Sequence, residues 1–123
     1  GLVAFDFGDA IRVEASTGEE DEKEVDKIAL DMEKYKAFVR GFVSVLKTAM
    51  TKEEKQTLAL GAVAMTVECG MRFLTDYLNG DTYFRVHYPE HNLVRARAQL
   101  TLAKDMIRRL EEMQAIVDDC CKE

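Results

Sequence analysis

The sequence predicts an all-α fold: three long helices and a short N-terminal one. Three observations carry that expectation. After residue 24 the chain is poor in turn signals, with one proline in 123 residues, whereas a fold of many short strands needs frequent punctuation. Three long stretches repeat apolar residues at three- and four-residue steps, the period of a helix that packs on one side. Two of these stretches follow residues that cap helices well, Asp31 and Thr51. The length suits one domain, residues 1–123, with a single core.

Residues 1–13 are dense in apolar groups, with Asp6 and Asp9 among them. Val3, Phe7, Ala10 and Ile11 fit a short amphipathic helix, although Gly8 weakens its propensity. Ser16 to Glu24 reads as a loop whose acidic run is a solvated surface; recruitment of a cation or a basic partner is the competing role. Asp31 caps the first long helix, about 32–49, carrying Tyr35, Phe38, Val39, Phe42, Val45, Leu46 and Ala49, with Gly41 placed for a close helix contact. Thr51-Lys52-Glu53-Glu54 has capping-box form and opens the second, about 52–78. Gly61 and Gly70 lie inside it at a cost of about 1 kcal/mol each relative to Ala, which points to a segment packed close or to a bend. The helix stops at Asn79-Gly80. Residues 79–92 connect, with an extended piece near Tyr83-Phe84-Arg85-Val86. The third long helix, about 90–119, aligns Leu93, Ala96, Leu100, Ala103, Ile107, Leu110, Gln114 and Val117, and Leu93, Leu100 and Leu102 are expected in the core.

Composition narrows the function. Hydrophobic residues make up 47% and charged residues 33%, with net charge −6; a general nucleic-acid binder is usually basic. Three cysteines, two of them the neighbours Cys120 and Cys121, do not make a disulfide framework, and a reducing cytoplasm is expected. No apolar run reads as approaching the ~18 residues of a membrane span, so no membrane partner is expected. Gly1-Leu2-Val3-Ala4-Phe5 has neither an initiating Met nor a basic leader; it reads as a chain entered in the middle rather than as a signal peptide.

Several motifs need weighing. Asp6-Phe7-Gly8 spells the tripeptide whose Asp holds Mg²⁺ in protein kinases, but the Gly-rich loop, strand lysine and His-x-Asp loop that accompany it are missing, so Asp6 is expected to be structural. His87-Tyr88-Pro89-Glu90-His91 matches a zinc pattern. Pro89 in its middle makes the start of the third long helix the better reading, and no metal ligands are assigned. Cys69, among apolar neighbours, is expected to pack in the core rather than act as a nucleophile. Arg95, Arg97, Arg108 and Arg109 read as a solvated face.

The most informative stretch is Glu68 to Phe84. Glu68, Arg72 and Asp76 recur at four-residue steps and so share one side, joined by Thr75 and Asn79, while Val67, Met71, Leu74 and Leu78 gather on another. A charged stripe on an otherwise apolar helix faces water or a polar ligand. An arginine near the helix end and the hydroxyl of Tyr83 just beyond it are placed to share a pocket, with a plain intrahelical ion pair as the competing role for Arg72.

At Phe5-Asp6-Phe7-Gly8-Asp9-Ala10-Ile11-Arg12, at Glu68 to Phe84 and at His87-Tyr88-Pro89-Glu90-His91-Asn92-Leu93, the chain resembles the C-terminal part of bacterial aminoglycoside-phosphotransferase-like enzymes, closest to the N-acetylhexosamine 1-kinases. The resemblance spans the whole chain but only about the last third of such an enzyme. It implies a helical C-terminal segment of a protein-kinase-like C-lobe, without the nucleotide-binding lobe and catalytic loop. It implies phosphorylation of the anomeric hydroxyl of an N-acetylhexosamine, with ATP and Mg²⁺ as the enzyme's cofactors and none bound by this segment. The magnesium aspartate and the catalytic base would lie upstream of Gly1, so no catalytic residue is assigned here. The sugar-binding arginine falls at Arg72 and the sugar-binding tyrosine at Tyr83, with Glu68, Asp76, Asp6 and Asp9 as possible supports. The partners would then be the sugar and the N-terminal part of the same enzyme, and self-association of the isolated chain is expected through apolar groups of residues 1–13. The rival expectation is a free-standing helical interaction module without catalysis, with the acidic loop or the third long helix as its contact surface.

Overall fold

The computed structural model describes residues 2–122. Among them the fold is all-helical: α1 (Leu2–Glu14), α2 (Met32–Leu46), α3 (Lys52–Leu78), α4 (His91–Arg108) and α5 (Leu110–Lys122), with short 3₁₀ turns at Val25–Lys27 and Lys47–Ala49. Gly1, where the apolar N-terminal stretch begins, lies outside the described residues. The one strand-like pairing described is an isolated antiparallel bridge, Ser16 to Leu30. It closes the acidic loop, helped by the Thr17 N–H donating to Ala29 O at 2.9 Å and the Asp31 N–H to Ala15 O at 2.7 Å.

Local chemistry explains where α2 and α3 begin. The Asp31 carboxylate accepts from the backbone N–H groups of Glu33 and Lys34, both at 3.1 Å. Thr51 and Glu54 form a reciprocal capping box: the Glu54 N–H donates to Thr51 Oγ1 at 3.1 Å, and the Thr51 N–H to Glu54 Oε1 at 2.9 Å. Each bond satisfies a donor that the first helical turn would otherwise leave unpaired.

The 27-residue α3 is the axis of the molecule, with α1, α4 and α5 all packed against it. By length and composition it would suffice to cross a membrane, which corrects the sequence expectation that no such run exists. Its apolar residues instead serve the core, where Leu58, Ala59 and Ala62 are fully buried. The core joins Phe7 and Ile11 of α1, Tyr35, Val39 and Val43 of α2, Leu102 and Met106 of α4, and Met113 and Val117 of α5. The Phe7 ring meets Tyr35 and Phe42 edge-on, with centroids 6.2 and 5.1 Å apart. The buried Tyr35 hydroxyl donates to Met113 O at 3.0 Å, which ties α2 to α5.

Glycine sets one contact. A Cβ added at Gly8 would lie 2.5 Å from Gly61 O, and one at Gly61 would lie 2.7 Å from Ala4 O. Here α1 and α3 cross backbone to backbone, which is the close packing that the small residues of α3 suggested. Gly41 behaves otherwise: a Cβ there would meet nothing within 4 Å, so no helix contact depends on it.

The third long helix differs from expectation. It breaks at Arg109 into α4 and α5, without a proline or glycine at the junction. The Arg109 N–H is shared between Asp105 O at 3.1 Å and Met106 O at 3.0 Å. The Asp105 carboxylate accepts from Arg108 Nη2 at 2.6 Å and from the Leu30 N–H at 2.7 Å. The break lets α5 tilt onto α2 and α3 and bury Met113, Val117 and Cys120. It also disrupts the straight stripe: Ile107 is exposed and Met106 buried, while Leu93 and Leu100 are only half-buried and Leu102 is in the core. The connection 79–90 is a run of turns and bends rather than an extended piece.

The two glycine environments lead to opposite expectations. Gly8→Ala should destabilise the chain by about 1–3 kcal/mol through overpacking. Gly41→Ala, in an open helical position, should stabilise it by up to ~1 kcal/mol. Urea unfolding of the two variants checks both signs.

Candidate functional site

Two open cavities flank the second half of α3, each of about 540 Å³, and Arg72 and Phe84 line both. The first lies between α1 and α3 and is also lined by Phe5, Asp6, Asp9, Arg12, Cys69 and Arg95. The second lies at the C-terminal end of α3 and is lined by Glu68, Met71, Thr75, Asp76, Asn79 and Tyr83. The residues singled out from the sequence therefore fall in two adjoining groups: Arg72 with Asp6 and Asp9, and Arg72 with Glu68, Asp76 and Tyr83.

Asp76 builds the wall that carries Tyr83. The carboxylate is only 5% exposed. Its Oδ1 accepts from the Tyr83 N–H at 2.8 Å, and its Oδ2 from the Phe84 N–H at 3.0 Å and from Asn92 Nδ2 at 2.7 Å. The Asp76 carbonyl also accepts from the Asp81 N–H at 2.8 Å. The chain reverses between them through Gly80 and Asp81, at φ 91° and 62°. Gly80 takes that left-handed conformation without side-chain strain, and aspartate is among the residues that tolerate it best. Burial opposes ionisation of Asp76, but the N–H groups of Phe84 and Tyr83 and the Asn92 amide outweigh it and hold the carboxyl below its ordinary range.

The expected common side of Glu68, Arg72 and Asp76 is thereby corrected. Each four-residue step advances roughly 40° beyond a full turn, and over two steps the stripe rotates off the solvent side into the seam with α4. Glu68 and Arg72 stay outside, paired at 3.1 Å with side chains 47% and 67% exposed. The intrahelical ion pair foreseen for Arg72 is present, and at such exposure it adds little stability. Glu68 thus orients Arg72, and Asp76 orients the Tyr83 loop instead. Met71 and Leu78, expected on an apolar face, are exposed at 48% and 73%. Tyr83 is itself 83% exposed, with its ring edge-on to Phe84 at 4.9 Å.

The first cavity is walled by charges that hold one another. Arg12 Nε donates to Asp9 at 2.9 Å and its Nη1 to Glu20 at 2.7 Å. Burial works against the Arg12 charge, yet Glu20 and Asp9 hold its pKa above the ordinary value. Asp6 is exposed, whereas Phe7 is fully buried and Gly8 sits at the α1–α3 crossing. The tripeptide is thus a piece of core packing beside an exposed carboxylate. Cys69 corrects its expectation: it is half-buried and lines the cavity, with burial pushing its thiol up despite nearby Arg12. A thiol so shifted is a poor nucleophile.

Sequence reasoning missed three groups. Asn92 is fully buried and bridges Asp76 to Asp81, reaching Asp81 Oδ1 at 3.1 Å. Arg95, read as solvated, donates to Arg85 O at 2.9 Å and Asn92 Oδ1 at 3.0 Å and lies over the Phe73 ring. His91 begins α4, as the helix-boundary reading expected, but it is 2% exposed. Its Nδ1 accepts from the His87 N–H at 3.2 Å and its Nε2 faces Asp21 Oδ2 at 3.0 Å, so both ring nitrogens are engaged within the protein. The acidic loop is accordingly docked by Glu20 and Asp21 rather than wholly solvated. Pro89 before α4 is a local signal in this region, whereas the partners that bury Asn92 and His91, Asp76 and Asp21, lie 16 and 70 residues away.

No family model matches the chain. The arrangement brings together an oriented guanidinium, an exposed phenol on a pinned loop, and carboxylates beside a cavity.

The pinned loop carries a pH signature. Asp76, Asp21 and Asp105 all titrate below the ordinary aspartate value of 3.8 in the folded protein. Their contribution is complete above that value and is lost as pH falls through the lowered folded values, because the unfolded chain binds more protons there. Urea unfolding should therefore show stability dropping below about pH 4. Asp76→Asn should flatten that drop and speed hydrogen exchange at the Tyr83 and Phe84 amides.

Proposed function

We propose that the chain is the helical C-terminal part of an ATP-dependent sugar kinase and supplies the wall that receives the acceptor sugar. The reaction is phosphorylation of the anomeric hydroxyl of an N-acetylhexosamine in the cytoplasm. The observation that carries the reading is the meeting of Arg72 and Tyr83 on one open cavity, with Arg72 oriented by Glu68 and the Tyr83 loop pinned by Asp76. Arg72 offers a fixed fork of N–H donors to sugar hydroxyls, and Tyr83 offers a flat face and one hydroxyl. Phosphoryl transfer depends on alignment, so a wall that fixes the sugar contributes directly to rate. ATP, Mg²⁺ and the catalytic base belong to the preceding part of the enzyme.

Two results are expected in a coupled ADP-release assay. The isolated chain should show no turnover with N-acetylglucosamine. In the complete enzyme, Arg72→Ala should raise the sugar KM by about ten- to a hundredfold, the worth of a charged hydrogen bond, and leave the ATP KM unchanged. Unaltered sugar kinetics would remove Arg72 from the site.

A second reading, a helical interaction module, draws on the apolar groove of α2 formed by Ala37, Phe38, Gly41, Phe42, Val45 and Leu46, where Val45 is 76% exposed. Self-association of the isolated chain would draw on this groove or on the exposed Phe5 and Val13 of α1, since Phe7 and Ile11 are consumed by the core. Light scattering is expected to show a concentration-dependent dimer that Val45→Glu abolishes. A wild-type chain monomeric at high concentration would remove the groove as a self-association surface.

A further inference from the structure

The α1–α3 cavity can be sorted by what already engages each charged group. Arg12, Asp9 and Glu20 hold one another. Arg95 is committed to Arg85 O and Asn92. Arg72 meets Glu68 through Nη2, and its guanidinium carries further N–H donors. Asp6 stands apart. It lines the same cavity and is exposed, and no described side chain pairs with it. Beside it on α1, Phe5 is 43% exposed and lines the cavity as well.

A carboxylate acceptor, a guanidinium donor and an aromatic ring around one cavity make a combination suited to a sugar ring. Hydroxyls donate to the carboxylate and accept from the guanidinium, and the apolar face of the ring rests against the aromatic side chain. The cavity, about 540 Å³, is of the size that small-molecule sites have. A divalent cation suits it less well. Among the described residues no group of three or more His, Cys, Asp or Glu side chains is placed to hold a metal ion, and Asp9 is committed to Arg12.

We infer that Asp6 is a specificity-determining residue of the acceptor site, accepting hydrogen bonds from hydroxyls of a sugar whose other edge meets Arg72. This rests on the sugar-kinase reading and adds to it a second wall, on α1, across from α3. It also gives the Asp-Phe-Gly tripeptide a division of labour: Phe7 and Gly8 lock α1 onto α3, and that contact aims Asp6 into the cavity.

The test uses the complete kinase with N-acetylglucosamine and its 3-, 4- and 6-deoxy analogues. Asp6→Ala replaces an exposed helical residue with the best helix former, and an unchanged ATP KM verifies that it folds. Asp6→Ala should raise the sugar KM about tenfold. One deoxy analogue should show a similar loss with the wild-type enzyme and no additional loss with Asp6→Ala, because the missing hydroxyl and the missing carboxylate are the two ends of one bond. If Asp6→Ala behaves as wild type while Arg72→Ala loses the sugar, the inference is overturned and the sugar site stands. If Asp6→Ala weakens all analogues equally, Asp6 does not read a hydroxyl and the inference is again overturned. If the complete enzyme phosphorylates no sugar, both readings fall together.

Discussion

The contact on which the rest depends is the crossing of α1 and α3 at Gly8 and Gly61. At that point the two backbones meet without side chains between them; a single added Cβ would come within 2.5 Å of a carbonyl oxygen. The approach drives Phe7 and Ile11 to full burial beside Tyr35 and Leu58. It also sets the rotation of α1. With Phe7 inward, Phe5, Asp6 and Asp9 come to line the cavity that Cys69 and Arg72 line from α3. The core and the cavity are two consequences of one packing decision. A larger residue at either glycine would separate the helices and widen both.

The second constraint is electrostatic and sits at the other end of the same cavity pair. Asp76 is buried in the seam between α3 and α4, where a lone carboxylate would be costly. It is retained because two backbone N–H groups and the Asn92 amide converge on it. Those donors come from separate segments, so satisfying Asp76 determines how the connection after α3 leaves the helix. Tyr83 is exposed as a side chain, yet its backbone is among the best-anchored in the connection. That combination, a free ring on a fixed backbone, gives a contact residue reach without a floppy base. His91 extends the anchoring by joining the His87 N–H to Asp21 of the acidic loop.

What was legible in the sequence follows from how far apart the interacting atoms lie. The caps at Asp31 and Thr51 were readable because donor and acceptor are within three residues of each other. The helical class and the 52–78 span were readable because periodicity is a local signal. The break at Arg109 was not, since neither proline nor glycine marks it; α5 must tilt to cover α2, and Asp105 ties the junction to Leu30, 75 residues away. The side of α3 taken by Asp76 was misjudged for a geometric reason. A four-residue repeat drifts around the helix, and only the position of α4 decides where the stripe enters the core. Asn92, His91 and Arg95 went unread because Asp76, Asp21 and the Phe73 ring, which they meet, lie on other segments. The resemblance that singled out Arg72 and Tyr83 concerns residues whose neighbourhood is visible only once the turn after Gly80 is in place.

Arg72 shows why the two cavities are better regarded as one site. It lines both, and the ion pair to Glu68, one turn back on α3, fixes where its guanidinium lies. A salt bridge that exposed adds little to stability, so its consequence is orientation: Glu68 limits the rotamers of a long side chain before anything binds. Restricting those rotamers beforehand lowers the entropy that binding must overcome, about 0.5–1.5 kcal/mol for a side chain of this kind. The same reasoning separates Arg72 from Arg12 and Arg95, whose donors are committed within the fold. Of these three, Arg72 is the one whose internal bonding is compatible with also meeting a ligand, and the exposed Arg85 is the fourth guanidinium on the first cavity.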